Sequence, residues 1–75
     1  MVIAFVLIVS QAGKEKRVVD ELMRLPFVRE ASLVFGDYDI VAKVEVDNPD
    51  MLSKILLEQI RQISSVSMTT TLISV

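Results

Sequence analysis

The feature that most constrains the fold is an unbroken run of eight apolar residues from Val2 to Val9. The run is rich in Val and Ile and is followed by Ser10, Gln11 and Gly13, so it predicts a β-strand rather than a helix. Because polar residues do not alternate with apolar ones, we expect both faces of this strand to be buried. The run is too short to cross a bilayer, which takes about 20 apolar residues, and no Lys or Arg precedes it as in a signal peptide. We therefore expect a cytoplasmic protein with no membrane partner.

An amphipathic helix is predicted from Lys14 to Leu25. Its apolar residues recur at helical spacing, while charged residues four positions apart occupy the opposite face. Pro26 ends this helix because proline cannot continue the hydrogen-bond ladder. The apolar positions are Val18, Val19, Leu22 and Leu25, and the charged pairs are Lys16 with Asp20 and Arg17 with Glu21.

Two further strands, from Phe27 to Phe35 and from Ile40 to Val46, are predicted to flank a hairpin turn. The turn is the polar segment Gly36-Asp37-Tyr38-Asp39. The third strand alternates, which sends its Ile, Ala and Val residues to one face of the sheet and its Lys and Glu residues to the other.

A second helix is predicted to begin at Asp47-Asn48-Pro49-Asp50, where Asn48 or Asp47 can cap free backbone N–H groups and Pro49 suits the first helical position. It is predicted to run to about Ile63, with an apolar stripe towards the sheet and with Lys54, Glu58, Arg61 and Gln62 towards water. The Thr-rich, β-branched segment from Val66 to Val75 then predicts a last strand.

The resulting order is βαββαβ, which predicts a single α+β domain of ferredoxin-like topology over residues 1–75. Its four-stranded antiparallel sheet is expected to have the first and third strands at the centre. Both helices of such a fold lie on one face of the sheet, yet the first strand is apolar on both faces. We expect a second subunit to cover the free face in a dimeric α/β-barrel type of assembly.

Composition supports an oligomer and argues against catalysis and DNA binding. The chain has 75 residues, of which 52% are hydrophobic, and a domain this small buries only about 60% of its unfolded surface. It has no Cys or His, so disulfides, thiolate metal sites and the commonest general base are absent. The formal charge is −2, with scattered Lys and Arg residues, which disfavours direct nucleic-acid binding. We expect no enzyme activity and no cofactor.

Two groups of residues are candidates for binding a ligand. The turn residues Gly36, Asp37, Tyr38 and Asp39 offer two carboxylates and backbone N–H groups that could hold a zwitterion, although the pattern alone favours a plain hairpin turn. Thr69 and Thr71 share one face of the last strand, although Thr is also simply a good strand former. Asp47 and Asp50 resemble a metal pair only if their place at a helix start is ignored.

Four landmarks resemble the effector-binding module of the Lrp/AsnC family of transcription regulators, also called the regulation-of-amino-acid-metabolism (RAM) domain. They are the first strand from Ala4 to Val9, the segment Leu25-Pro26-Phe27-Val28-Arg29-Glu30-Ala31, the turn Gly36-Asp37-Tyr38-Asp39-Ile40-Val41-Ala42, and Val66 followed by Thr69 and Thr71.

The resemblance covers essentially the whole chain and implies a function in transcription regulation of amino-acid metabolism. It implies a homodimer formed through the sheets, larger rings that are commonly octamers, and a small free amino acid bound between dimers. Carried over by position, the ligand-binding residues are Gly36, Asp37, Tyr38, Asp39, Thr69 and Thr71. Asp39 would receive the ammonium group, and the turn amides or a Thr hydroxyl would receive the carboxylate.

The chain departs from typical members of this family because it begins directly in the first strand, without the helix-turn-helix domain that usually precedes the module. It resembles a stand-alone form. A first alternative is a subunit that co-assembles with full-length Lrp/AsnC regulators without sensing a ligand itself. A remote alternative is an enzyme of the dimeric α/β-barrel type, and an ACT-type domain is a further binding module of the same fold.

Overall fold

The predicted order of elements is confirmed in a computed structural model that describes all 75 residues. The elements are β1 (Val2–Ser10), α1 (Glu15–Met23), β2 (Val28–Leu33), β3 (Ile40–Val46), α2 (Pro49–Ile55), a π-helix (Leu56–Ile60) that directly continues α2, and β4 (Val66–Ile73).

The four strands form one antiparallel sheet in the order β2-β3-β1-β4. The prediction that the first and third strands are central is therefore confirmed, and the topology is ferredoxin-like. In the central pair, Ala4 lies opposite Val44, and Ile8 lies opposite Ile40. Partners in an antiparallel pair project to the same face of the sheet, so this register brings the small and branched side chains of both strands together.

The hydrophobic core lies between one face of the sheet and the two helices. Val18 and Leu22 of α1 are fully buried, and the second helical segment buries Leu52, Ile55 and Ile60. The strands contribute every second residue to this core, as the period of two requires. These strand residues are Ala4, Val6, Ile8, Val28, Ile40, Ala42, Val44 and Val46.

The opposite face of the sheet, which we call the helix-free face, remains partly open to solvent. On β1 this face carries Ile3, Phe5, Leu7 and Val9, all of which are half-buried. Neighbouring β4 adds Met68 and Leu72, which pair with Val9 and Phe5 and are each more than half exposed. Within a single chain, then, only one of the two apolar faces of β1 is covered.

The start of α2 confirms the predicted cap. The Asn48 side chain accepts a hydrogen bond from the backbone N–H of Met51 at 2.9 Å, and Pro49 occupies the first helical position. Asn48, and not Asp47, is the capping residue.

Several element boundaries differ from the predicted ones, and those of the second helix and the second strand have a clear structural cause. The second helix was predicted to continue to about Ile63, but it changes to a π-helix at Leu56 and ends at Ile60. The second strand stops at Leu33 instead of Phe35, because the Val34 N–H already bonds to the Asp39 carbonyl at 2.9 Å and turns the chain into the hairpin.

Candidate functional site

The β2–β3 hairpin presents its tip to solvent. Gly36 has φ +136°, a conformation that side-chain-bearing residues rarely adopt, so glycine suits this position. Gly36 and Asp37 are both exposed, and the Phe35 side chain is fully exposed beside them. The predicted turn is therefore confirmed as a turn, and its tip is open to contact with another molecule.

Asp39 fastens the base of this hairpin to the end of β1. Its backbone N–H donates to the carbonyl of Ile8 at 2.9 Å, and its Oδ2 accepts a hydrogen bond from the backbone N–H of Ser10 at 2.9 Å. The side chain is half-buried. A carboxylate held in this way has a fixed orientation, which is a property that a ligand-binding group needs.

A cleft of about 370 Å³ opens beside Asp39, between the hairpin and the start of α1. One wall is apolar, and the remainder carries two carboxylates and one ammonium group. Such a combination can contact a small molecule that bears both charges and an apolar side chain. The lining residues are Gly13, Glu15, Lys16, Leu33, Val34, Phe35 and Asp39.

Tyr38 points away from this cleft. Its hydroxyl donates to Oγ1 of Thr70 at 3.2 Å. Thr70 lies opposite Leu7 on the helix-free face, and β1 separates β3 from β4, so the Tyr38 side chain reaches across β1 on that face. Tyr38 therefore connects the β2–β3 hairpin to β4 and does not line the cleft of Asp39.

Thr69 and Thr71 lie on the other side of the sheet. They pair with Ile8 and Val6, whose side chains are fully buried beneath the helices, so both Thr side chains face the helical layer. They line a separate groove of about 340 Å³, which we call the β4 groove. Its lining residues are Ser53, Leu56, Leu57, Arg61, Thr69 and Thr71.

The predicted site residues are thus divided within one chain. Asp39 lines the cleft beside α1, whereas Thr69 and Thr71 line the β4 groove, with the full width of β1 between them. The α-ammonium and carboxylate groups of one amino acid cannot contact both groups within one chain, because they are attached to the same carbon atom. Strands in a sheet lie about 4.8 Å apart, and two such spacings separate β3 from β4.

Two cationic residues line the Asp39 cleft and the β4 groove but were not among the predicted site residues. Lys16 was assigned to the solvated face of the first helix, yet it borders the Asp39 cleft. Arg61 was assigned to the solvated face of the second helix, yet it borders the β4 groove. One signal for the cleft was available in the sequence, because Gly13 follows the first strand, where a glycine indicates a sharp turn. In the structure Gly13 has φ +82° and lines the cleft.

No group of three or more His, Cys, Asp or Glu residues is placed to hold a metal ion. Neither helical segment has the length and apolar character needed to span a membrane.

Comparison with protein families gives a match to the Lrp/AsnC ligand binding domain over residues 3–75. The chain belongs to this family. Among curated members, the HTH-type transcriptional regulator FL11 of Pyrococcus furiosus is 35% identical over 72 residues, which cover 96% of this chain and 47% of FL11. The first relatives matched are covered over 40% of their length, so this Lrp/AsnC domain spans less than half of them. These relatives are named as transcriptional regulators.

Solved structures of the family superpose closely on the domain. The crystal structure of FFRP-DM1 is 43% identical, with a TM-score of 0.96 and complete coverage of both chains. Escherichia coli AsnC is 31% identical with a TM-score of 0.93, and the match covers 99% of this chain and 50% of AsnC. The ferredoxin-like fold is thereby confirmed as the fold of the family's ligand-binding domain.

Two further matches come from other contexts. A homocitrate synthase of Sulfurisphaera tokodaii is 43% identical over 54 residues, which cover 72% of this chain and only 12% of that enzyme. A transcriptional regulator of Neisseria meningitidis, solved as a complex with L-Met, is 14% identical with a TM-score of 0.88. At that identity, the second match shows the shared fold alone.

Proposed function

We propose that this domain is a cytoplasmic amino-acid sensor for transcription regulation of amino-acid metabolism, and that it binds a free amino acid between subunits. The observation that carries the proposal is the Asp39 carboxylate, held by the Ser10 N–H at the edge of a cleft with an apolar wall. A carboxylate offers about four lone-pair positions, so the bond to Ser10 leaves Asp39 able to accept hydrogen bonds from an ammonium group. The apolar wall then suits an amino-acid side chain.

The predicted site residues lie in two separate places within one chain, which supports a ligand position between subunits. Asp39 and the two Thr residues can act on one ligand only if a second chain brings its β4 groove to the cleft of the first. The exposed hairpin tip contains Phe35, which lines the cleft, and the adjoining residues Gly36 and Asp37, which lie outside it, and this tip is the surface that a neighbouring dimer would cover. In this arrangement Asp39 receives the ammonium group of the amino acid.

The apolar helix-free face supports a dimer as the building block. Leu7 and Phe5 lie at its centre and are shielded only in part by their own chain. Packing two such sheets face to face removes this apolar area from water, which contributes roughly 25 cal/mol per Å². Dimers made in this way then close into a ring, for which an octamer is the expected size.

The relatives support a sensing role that is independent of the attached domain. The same module matches HTH-type regulators and a short part of a homocitrate synthase, so it is combined with both DNA-binding and catalytic partners. A regulator with this fold was solved as a complex with L-Met. A transferable domain that binds an amino acid accounts for both settings.

A thermal-shift screen against the twenty amino acids tests the proposal. A ligand at about 100 times its dissociation constant stabilises a folded protein by roughly 2.7 kcal/mol per site. We expect one or a few amino acids to raise the melting temperature of the wild type. The same compounds should leave Asp39→Asn unshifted, since the amide keeps an acceptor for Ser10 but has no negative charge for an ammonium group. If none of the twenty amino acids raises the melting temperature of the wild-type protein (a flat panel), the sensing role is overturned.

A second function is an assembly-modulating subunit that joins full-length relatives without sensing a ligand. Its support is the 35% identity to FL11 over nearly the whole chain, combined with an apolar face available for heterodimers. Mixing the purified domain with purified FL11 and weighing the complexes by native mass spectrometry tests this function. Mixed assemblies together with a flat amino-acid panel would favour it, and separate homo-oligomers would exclude it for that relative.

A further inference from the structure

We infer that the β4 groove is a carboxylate-binding subsite in which Arg61 is the anchoring cation. The inference deepens the proposed function, since it assigns the carboxylate of an amino acid to Arg61, Thr69 and Thr71 of one chain and its ammonium group to Asp39 of another. It replaces the turn amides as the expected partner of the carboxylate.

The groove has a polar lining without a negative charge. Ser53, Thr69 and Thr71 supply three hydroxyl groups, and Arg61 supplies the only charge. Arg61 also borders an adjoining hollow of about 210 Å³, where Ser67 adds a fourth hydroxyl. No Asp or Glu lines either space. Hydroxyl donors grouped around one guanidinium are suited to an anion.

Arg61 is free to bind such an anion because no carboxylate of the chain holds it. The ion pairs in the structure join Arg17 to Glu21 at 3.5 Å and Arg29 to Glu45 at 3.3 Å, and neither includes Arg61. Because neither a carboxylate nor another side chain is bonded to it, the guanidinium retains its full set of donors for a ligand.

The π-helix gives independent support. The Arg61 backbone N–H bonds to the carbonyl of Leu56, five residues earlier, at 3.0 Å, so the turn contains one more residue than an α-helical turn. Segments of π-helix are rare and occur frequently at functional sites. Here the widened turn contributes Leu56 to the groove and ends immediately before Arg61.

A carboxylate fits this groove better than a phosphate group does. One guanidinium presents two parallel N–H donors that match the two oxygens of a carboxylate. Leu56 and Leu57 lie beside it and suit the carbon chain of an organic acid. Because the groove carries a single cation, it matches the single charge of a carboxylate.

Isothermal titration with an amino acid and its primary amide tests the assignment, using the amino acid identified by the thermal-shift screen. The wild type should bind the acid at least tenfold more tightly than the amide. In Arg61→Gln this preference should disappear through weaker binding of the acid, while binding of the amide stays unchanged. Arg24→Gln, which removes an exposed cation at the C-cap of α1, should behave as the wild type does. An unchanged acid-to-amide ratio in Arg61→Gln would overturn the inference and leave the sensing role intact.

A second measurement does not depend on the sensing role. Sodium acetate, with sodium chloride as the ionic-strength control, is titrated into labelled protein and followed by NMR. Selective shifts of the Arg61 side-chain N–H and of the Thr69 and Thr71 amides in the wild type, with the two Thr shifts lost in Arg61→Gln, would establish a carboxylate subsite even with a flat amino-acid panel. If acetate and chloride act alike on these signals and no amino acid shows an Arg61-dependent preference, the subsite does not exist.

Discussion

The carboxylate of Asp39 accepts a hydrogen bond from the backbone N–H of Ser10 at 2.9 Å, across 29 positions of sequence. Ser10 ends β1 and Asp39 immediately precedes β3, so this bond joins the ends of the two central strands. Asp39 therefore has a structural role in addition to its proposed role in binding an ammonium group. Substitutions at this position affect both roles, and they must be chosen to separate the two.

Asp39→Ala is expected to destabilise the domain by about 1 to 3 kcal/mol, because it leaves the part-buried Ser10 N–H without its acceptor. Asp39→Asn should lose less, since the amide oxygen can accept the same bond. Urea unfolding of both variants measures the difference. Equal losses of unfolding free energy in the two variants would show that the hydrogen bond to Ser10 is not the stabilising contact.

The hydrogen bond from Tyr38 to Thr70 is expected to contribute about 0.5 to 1.5 kcal/mol to stability. A double-mutant cycle of Tyr38→Phe and Thr70→Val isolates this contribution, because both substitutions remove a hydroxyl and nearly preserve shape. The sum of the losses of unfolding free energy in the two single variants should exceed the loss in the double variant by the coupling energy of the hydrogen bond. Strictly additive losses of unfolding free energy would mean that the bond does not connect the β2–β3 hairpin to β4 in solution.

Leu7→Asp is expected to convert the dimer into a monomer, since it places an unpaired charge at the centre of the proposed sheet-to-sheet interface. Light scattering after size exclusion measures the mass, and circular dichroism checks that the chain remains folded. Met51→Asp, which puts the same charge on an exposed apolar position of α2, is the matched control and should remain oligomeric. A folded Leu7→Asp variant of unchanged mass would exclude the helix-free face as the interface.

Asn48→Ala is expected to lower stability by about 1 kcal/mol, because the Met51 N–H loses its side-chain acceptor at the start of α2. The neighbouring Asp47→Ala should change the unfolding free energy by less than about 0.5 kcal/mol, as is usual for exposed positions without a specific contact. Thermal unfolding compares the two. A larger loss of stability in Asp47→Ala than in Asn48→Ala would contradict Asn48 as the capping residue.

Local patterns in the sequence were sufficient to predict the sheet and its order. The uninterrupted apolar run in β1 requires a central strand, the alternation in β3 sets its register, and Pro26 and Pro49 mark helix boundaries. The π-helix was not predictable, because the apolar stripe through Leu56, Ile60 and Ile63 fits a regular helix equally well. Its place depends on how that segment packs on the sheet.

The candidate site was predictable in its residue types but not in its arrangement. The polar turn before Ile40 indicated Asp39, yet the pattern contains no information about the backbone N–H that holds its carboxylate. The period of two correctly places Thr69 and Thr71 on one face. Which face that is, and its separation from Asp39, follow from strand order in three dimensions. The amphipathic pattern places Lys16 and Arg61 on the solvated faces of their helices. Such a pattern does not reveal which charged residues border a cleft.

Native mass spectrometry with the amino acid identified by the screen tests the central claim most directly, because it counts chains and bound ligands in the same measurement. We expect even-numbered assemblies larger than dimers that carry bound amino acid, and Asp39→Asn assemblies that carry none. An amino acid bound to monomers would contradict a site shared between subunits. Assemblies that remain free of ligand at saturating concentrations would contradict the sensing function itself.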